Sequence, residues 1–591
     1  MKVMLFFPPH WEPMMPHLAL PSLAAYLRSH GVEVIQRDLN AEVFDQVLSS
    51  RHLRMVTNQL RQERSRVARR GLSEAAIKAR IELMDWAQEE GKELVRDVEW
   101  AKETVRSERF FDPEPSLKAF LTLVKGLQLG SVPYYPSELH FTGYRSAYPP
   151  YSSRAIRAAV QDRDLNVFRN LLQVSVLPQI RREQPDLVGI SLTSADQVIA
   201  GFTLAALVKE AELPAHVVLG GKMVTCWRDQ LPHAQALWDL FDSAIVYEGE
   251  VALLRLVEAL DRGQDLSSVP NLIYRARTVR PQDDLQIRVN EVKAPEPTEA
   301  LPTPDFDGLP LGLYLAPVQV LPVSASRGCY WGRCAFCNVG YGESCHFSEQ
   351  RAEQVAEEML RLAEAYGSRH FFFADEALSP RMLKRLSAHL VEADAHLNWA
   401  CCARFEPGIR EELLTQMRQA GCRMVLYGLE SGSQRVLDRM DKGTRLETAQ
   451  RILEQGAEAG IWNHIFFFFG FPGETEGEAQ ETIRFFKANR NVLHSACTGT
   501  FLLERHARVA DDPAAYGVSR LIPPRPEQDL AYYYEYEVAS GISAARAEEI
   551  EAQFLGSLPH KPFPQYYFHD IYRFLYACQF TEEEPLPTMA G

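Results

Sequence analysis

Hydrophobic and polar positions divide the chain into two stretches of short apolar runs alternating with helical patterns, separated by a long polar segment. Lys2 to Phe7 is apolar and stopped by Pro8-Pro9, which predicts a short buried strand. Leu18 to about His30 repeats with helical spacing, and Gly31 is placed to end that helix. Val32 to Arg37 predicts a second strand, so the chain opens as a parallel α/β sheet.

The pattern breaks from about 41 to 182, where the sequence is polar and helix-forming. A loop-like interruption at 130–153 contains Pro133, Pro136, Pro149 and Pro150. This predicts a helical insertion whose role the residues do not reveal. The α/β pattern resumes with strand 187–193, a helix near 197–211 and strand 216–219 ending in Gly220-Gly221. A helix near Leu231, strand 243–247 and a helix opened by Glu248-Gly249-Glu250 complete it. Three successive strand ends carry small or polar residues, Ser191/Thr193/Ser194, Gly220/Gly221 and Glu248/Gly249/Glu250. Ligands of open α/β sheets sit beyond such ends, although ordinary turn chemistry selects the same residue types.

Residues 279–315 are rich in Pro, Asp and Glu and predict a linker. From Val318 the pattern becomes six strand–helix units, with strands at 318–324, 370–373, 399–402, 424–427, 463–469 and about 495–503. Helices are predicted at 351–366, 379–393, 409–420, 433–440 with 446–459, and 476–489. Six units without the full eight predict a partial barrel with its chemistry at the carboxyl ends of the strands. The unusual residues fall there: a cysteine loop after the first strand, Asp375-Glu376 after the second and Arg404 after the third. Glu430-Ser431 follows the fourth, and Gly470-Phe471-Pro472-Gly473-Glu474-Thr475 the fifth. The remainder to 591 is irregular and aromatic, with Tyr532, Tyr533, Tyr534, Tyr536, Tyr566, Tyr567 and Phe568, suited to packing or to closing the barrel's open side.

Composition narrows the class. A chain of 591 residues exceeds one core, and 46% hydrophobic with 24% charged residues is ordinary for a globular protein. The net charge of -15 argues against sequence-independent nucleic-acid binding. The arginines at 51, 54, 61, 64, 66, 69 and 70 fit a solvated helix face. No apolar run approaches the roughly 20 residues of a membrane helix, and the apolar start is too short for a signal peptide. Ten cysteines, three of them within nine residues, suit metal chemistry in the cytoplasm better than a disulfide frame.

That trio lies in Ser326-Arg327-Gly328-Cys329-Tyr330-Trp331-Gly332-Arg333-Cys334-Ala335-Phe336-Cys337. Three close thiols suit a soft metal centre. Zinc wants a fourth ligand, usually from a second separated pair; Cys345 could serve, but no second C-x-x-C exists. A four-iron cluster on three thiolates leaves one iron open to a small molecule.

The loop resembles the cysteine motif of the radical S-adenosylmethionine (SAM) enzymes. The resemblance assigns Cys329, Cys334 and Cys337 to a [4Fe-4S] cluster and Phe336 to packing against SAM. It implies that Asp375 and Glu376 bind the SAM amino group, and that Arg404, Glu430 and Ser431 contact its carboxylate or ribose. A buried ion pair between strands is the alternative for Arg404 and Glu430. The family commonly has three residues between the first two cysteines; this chain has four, and Gly332 could absorb the extra one.

The first domain is similar to the cobalamin-binding domain that precedes the barrel in one large subgroup of that family. The match rests on Pro185 to Ser191, Gly220-Gly221, Tyr247-Glu248-Gly249-Glu250 and Pro270 to Tyr274. The Asp-x-His-x-x-Gly cobalt-ligand motif of other B12 proteins is absent. Ser191, Thr193, Ser194, Gln197, Gly220, Gly221, Glu248, Gly249 and Glu250 are the implied cobalamin contacts. The expected fold is α/β: a Rossmann-like cobalamin-binding domain over 1–278 with the helical insertion, a linker over 279–315, a partial (β/α)6 barrel over 316–510 and a C-terminal extension over 511–591. The implied activity is cobalamin-dependent methylation of an unactivated carbon on a peptide or small molecule, with electrons from a flavodoxin or ferredoxin. A radical rearrangement or cyclisation, a methylthiotransferase on RNA and a cobalamin or iron–sulfur sensor are the alternatives; the set of strand-end motifs speaks against the sensor.

Overall fold

The computed structural model describes residues 1–63, 74–276, 286–338, 347–558, 569–581 and 584–590. Arg64, Arg66, Arg69, Arg70, Cys345, Tyr566, Tyr567 and Phe568 lie outside them. The chain forms two compact units. One comprises 1–293, 302–319 and 525–531; the other comprises 294–301, 320–524 and 532–591.

The first unit is built on β1 (Lys2–Phe7), β2 (Glu33–Asp38), β3 (Leu187–Ser191), β4 (His216–Gly220), β5 (Ser243–Ile245), β6 (Leu272–Arg275) and β7 (Ile287–Val289). Their spatial order is β2-β1-β3-β4-β5-β6-β7, parallel through β5 and antiparallel for β6 and β7. The order 2-1-3-4-5 is the flavodoxin-like variant of the doubly wound sheet, whose crossover reverses between β1 and β3. Helix Val198–Glu210 is buried on every side from Val198 to Val208, as its uniformly apolar sequence requires.

The insertion is helical, dominated by Glu74–Val105 packed along Pro113–Ser131. Lys102 Nζ and Arg106 Nη2 each lie 3.0 Å from Asp45 Oδ1, tying this pair to helix Leu39–Val47. Arg51, Arg54 and Arg61 are exposed on helix Ser50–Glu63.

Two expectations change here. The helix expected near Leu231 is two short 3-10 helices, Leu231–His233 and Gln235–Leu237, preceded by a short α-helix, Lys222–Cys226. The stretch expected to be a linker is divided: β7 completes the first sheet, 294–301 joins the second unit and 302–319 the first. Its anchors are polar. Tyr314 Oη donates to buried Asp38 Oδ2 at 2.6 Å, and Arg28 Nη1 donates to Asp305 Oδ2 at 2.6 Å. Composition marks a Pro- and acid-rich segment as irregular, but it does not reveal such long-range partners.

The second unit carries six parallel strands in chain order: β8 (Val320–Val323), β9 (His370–Phe373), β10 (Asn398–Ala403), β11 (Cys422–Glu430), β12 (Trp462–Phe469) and β13 (Ser495–Thr500). Helices 352–366, 380–392, 411–419, 434–439 with 446–458, and 476–489 connect them. The last begins on a capping box, Thr475 with Glu478.

Side chains alternate across β12. Phe467 and Phe469 face Phe554 of helix Ala544–Gly556, with ring centroids 5.5 and 6.2 Å apart. Trp462, His464 and Phe468 take the other face. Tyr576 of helix Asp570–Ala577 meets Trp462 at 6.1 Å, and Phe336 of the cysteine loop meets Phe468 at 5.3 Å. Phe574 of the same helix lies 6.1 Å from His370 and 6.2 Å from Phe372. Helices Ala544–Gly556 and Asp570–Ala577 thus pack on opposite faces of the six-stranded sheet. No helix among the described residues is long and apolar enough to cross a membrane.

Candidate functional site

The cysteine loop leaves the carboxyl end of β8 and is held from below by Asp375. This buried carboxylate accepts from Ala325 N at 3.0 Å, from Ser326 Oγ at 2.6 Å and from Ser326 N. Burial pushes its pKa up to about 6, while these donors act in the opposite direction.

Further along, Gly332 adopts φ +58°, a conformation that disfavours side chains. The four-residue spacing is therefore accommodated at Gly332, as its sequence position suggested, and Trp331 turns into the fold. Three successive carbonyls after helix Gln434–Arg439 then anchor the loop and its surroundings. Met440 O accepts from Ala335 N at 2.8 Å, Asp441 O from Trp331 Nε1 at 2.7 Å, and Lys442 O from Arg404 Nη2. Carbonyls at a helix C-terminus need donors from outside the helix, and the loop provides two of them.

Arg404 is buried and fully engaged. Its Nε donates to Glu406 Oε1 at 3.0 Å, its guanidinium lies 4.3 Å over the Trp331 ring, and Nη1 is 4.0 Å from Cys334 Sγ. Lys442, also buried, donates from Nζ to Glu430 Oε1 at 2.7 Å. Burial works against its charge, but Glu430 and Cys334 hold its pKa above the ordinary lysine value. Burial likewise raises the Cys334 thiol, opposed by Lys442 and Arg404.

Among the described residues, Cys329, Cys334 and Cys337 form no disulfide, and all three are partly accessible. Among the described residues, no three His, Cys, Asp or Glu side chains converge on a single ion position. Two buried cations beside Cys334 suit thiolates carrying a multi-iron cluster, whose negative charge needs compensation.

The structure separates the predicted SAM contacts. Phe336 stands at the loop's end against Phe468, and Glu376 is exposed beyond β9. Glu430 closes β11 at φ +66°, paired with Lys442. The other three have partners within the fold. Asp375 anchors the turn before the loop, and Arg404 braces Trp331 and the Lys442 carbonyl. Ser431 is fully buried, accepting from Ser433 N at 3.1 Å and lying 3.2 Å from Thr482 Oγ1. All three stand at strand ends, as expected, and hydrogen-bond to the adjoining backbone and side chains. Sequence reasoning missed Lys442, whose one signal is its place in the turn Met440-Asp441-Lys442-Gly443 closing a short helix.

In the first unit, the crevice expected of this sheet lies between the carboxyl ends of β1 and β3. Gln197 links its two sides: Nε2 donates to Pro8 O at 2.7 Å, and Oε1 accepts from Thr193 N at 2.7 Å and Ser194 N at 3.2 Å. Gln197 is fully buried and has a structural role. Gly221 is also structural, since a Cβ there would stand 2.4 Å from the Leu192 carbonyl oxygen. Ser191 is nearly closed off, and Glu250 is buried in the first turn of helix Glu250–Asp261. Thr193, Ser194, Gly220, Glu248 and Gly249 retain partial exposure along the edge, and a Cβ on Gly220 would meet only Ile245 O, at 3.8 Å. The Pro8–Trp11 segment at the end of β1 was not among the predicted contacts, although it forms one side of the crevice.

Residues 323–486 match the radical SAM superfamily. The chain is 28% identical over 313 residues to an uncharacterized methyltransferase of Pyrococcus horikoshii, covering 52% of this chain and 65% of that one. It is 27% identical over 326 residues to the anaerobic magnesium-protoporphyrin IX monomethyl ester cyclase of Rubrivivax gelatinosus, covering 53% and 56%. The chain thus spans about six tenths of the length of these curated relatives. Among solved structures, it superposes with TM-score 0.52 and 18% identity on OxsB, a cobalamin-dependent SAM radical enzyme, over 65% of this chain and 60% of that one. The radical SAM methyltransferase TsrM of Kitasatospora setae, solved with cobalamin and a [4Fe-4S] cluster, superposes with TM-score 0.50 and 17% identity over 86% and 74%.

The radical SAM match falls on the unit with the six-stranded parallel sheet, and the first unit carries the doubly wound sheet. The resemblance read from the cysteine loop is met: residues 323–486 match the radical SAM superfamily, and the chain shares the fold of solved cobalamin-dependent radical SAM enzymes.

Proposed function

We propose that the protein is a cytoplasmic, cobalamin-dependent radical SAM methyltransferase acting on a carbon of a peptide or small molecule. The observation that carries this reading is the cysteine loop at the carboxyl edge of the six-stranded sheet, with Phe336 packed on Phe468 and Cys334 beside Lys442 and Arg404. Cys329, Cys334 and Cys337 would hold a [4Fe-4S] cluster, and the β1/β3 edge with Thr193, Ser194, Gly220, Glu248 and Gly249 would take cobalamin. When bound, these groups supply one-electron cleavage of SAM and a carrier for the methyl group. Phe336 offers an aromatic face to adenine, and Asp375, Glu376, Arg404, Glu430 and Ser431, all at or just past strand ends, are the proposed polar contacts to SAM. A flavodoxin or ferredoxin is the proposed electron donor.

Relatives named methyltransferases favour methylation, and the cyclase relative supports ring formation as the second reading. Anaerobic reconstitution with iron and sulfide tests the proposal. The cluster absorbance should appear and be lost in Cys334→Ala, and reduction with SAM should yield 5′-deoxyadenosine. Zinc in place of iron, without that product, refutes it, and failure to take up hydroxocobalamin removes the role of the first unit. A product heavier by one methylene is methylation; a product lacking that gain points to ring formation.

A further inference from the structure

We propose that Trp331, which lies in the lengthened spacing between Cys329 and Cys334, is a positioning residue that fixes the Arg404 guanidinium beside Cys334. Arg404 and Lys442 together would then set the reduction potential of the cluster. The inference rests on the cluster assignment made above and concerns residues that assignment leaves without a role.

Trp331 is braced by a turn and by two cations, Arg404 and also Arg333, whose guanidinium lies 5.0 Å from the ring. Trp331 is held by its bond to Asp441 O and lies under Arg404. Gly443 makes room for the indole: a Cβ there would stand 2.5 Å from two of its ring carbons. Arg404 is fixed at one end by Glu406 and at the other by Lys442 O, which leaves Nη1 directed at Cys334 Sγ. An arginine gripping both oxygens of the SAM carboxylate would keep its planar fork free for them. This one has no free fork.

Reduction adds a negative charge to a cluster, so cations fixed beside its sulfurs favour the reduced form and raise the potential. Glu406 and Glu430 partly offset Arg404 and Lys442, but each carboxylate bonds its cation through Oε1, whereas the Arg404 Nη1 edge faces the thiol. The indole over Arg404 adds a cation–π contact and keeps water from the guanidinium, which strengthens its field at the sulfur.

The test is EPR-monitored potentiometry on anaerobically reconstituted full-length protein, with iron and sulfide content measured in parallel. Trp331→Ala and Arg404→Gln should each retain the cluster and shift its midpoint to more negative values. The double variant should shift no further than Arg404→Gln alone, because Trp331 acts through Arg404. SAM affinity of Trp331→Ala should stay within roughly twofold of wild type. Should Trp331→Ala not load iron, Trp331→Phe carries the same test, since it keeps an aromatic ring but loses the bond to Asp441. An unchanged midpoint in loaded variants overturns the proposal, as do additive shifts in the double variant. A tenfold loss of SAM affinity at unchanged midpoint also overturns it and leaves Arg404 with its SAM contact alone. Wild-type protein that holds no iron refutes the cluster assignment instead.

Discussion

The indole nitrogen of Trp331 donates to the carbonyl oxygen of Asp441 at 2.7 Å, tying the spacing between two cysteines to the turn that follows helix Gln434–Arg439. The loop is therefore preorganised by residues more than a hundred positions away. Around the same contact, Asp441 Oδ1 lies 3.2 Å from Arg333 Nη2 and Asp441 Oδ2 3.0 Å from Arg508 Nη1. These outer pairs are solvent-exposed and contribute little stability singly. The indole bond and the three-carbonyl array fix the register.

Gly443→Ala tests that array. The residue sits at φ +72°, and its Cβ would overlap a rigid ring and not the end of a flexible chain. The backbone conformation costs a non-glycine residue about 1 kcal/mol, and displacing a packed indole brings the total to about 1–3 kcal/mol. Thermal unfolding should show a lower Tm, and reconstituted protein should hold less iron. A variant with wild-type Tm and iron content would mean that Trp331 is not fixed by this turn.

Asp375→Asn tests the support under the loop. Its oxygens face the two backbone donors and one hydroxyl of Ala325 and Ser326. An amide brings its own N–H groups against them and leaves a buried donor unpaired, at a cost of about 1–3 kcal/mol. Urea unfolding of the cluster-free protein should register the loss. Ser326→Ala, which removes only the hydroxyl, should cost less. Equal stabilities of Asp375→Asn and wild type would show that Asp375 does not hold this turn.

How far the sequence carries is visible in these residues. All six strands of the second sheet were legible, because short runs such as Trp462–Phe469 have strand length, aromatic enrichment and flanking glycines, here Gly460 and Gly470. So was the cysteine loop, whose spacing is local. Arg404, Asp375 and Ser431 were placed correctly at strand ends, but their hydrogen-bond partners lie elsewhere in the chain: Lys442, Ala325 and Thr482. Pattern along the chain gives a residue's place on its strand; it does not say whether a backbone carbonyl or a ligand will meet it. Gln197 shows the same limit in the first unit, since the Pro8 carbonyl that engages it comes from β1's end, 189 positions earlier.

Phe554→Ala tests whether the C-terminal residues belong to the barrel. The ring meets Phe467, Phe469 and Phe486, the last at 5.0 Å, and is buried. Truncating a buried phenylalanine costs about 3–5 kcal/mol. Loss of that order in a single cooperative urea transition fits a helix integral to the core. A separate early transition, with the main one unchanged, would show that helix Ala544–Gly556 opens independently.

Glu474 gives a prediction with a definite sign. It follows β12 in Gly470-Phe471-Pro472-Gly473-Glu474, is 1% exposed, and accepts from Gly470 N at 2.6 Å through Oε2, while Oε1 is buried without a hydrogen-bond partner. Burial pushes its pKa up to about 7, from 4.5 for an ordinary glutamate. Below pH 4.5 both folded and unfolded chains carry the proton, and the contribution to stability is complete. As pH rises from 4.5 to 7, the unfolded chain releases its proton first, so the folded state loses ground by an amount on the order of 3 kcal/mol. Glu474→Gln keeps an acceptor for Gly470 and carries no titrating proton. Its stability relative to wild type, read from urea midpoints, should therefore improve steadily from pH 5 to pH 7 and then level off. A difference that stays flat over that range would show that the folded chain holds Glu474 ionised at its ordinary value.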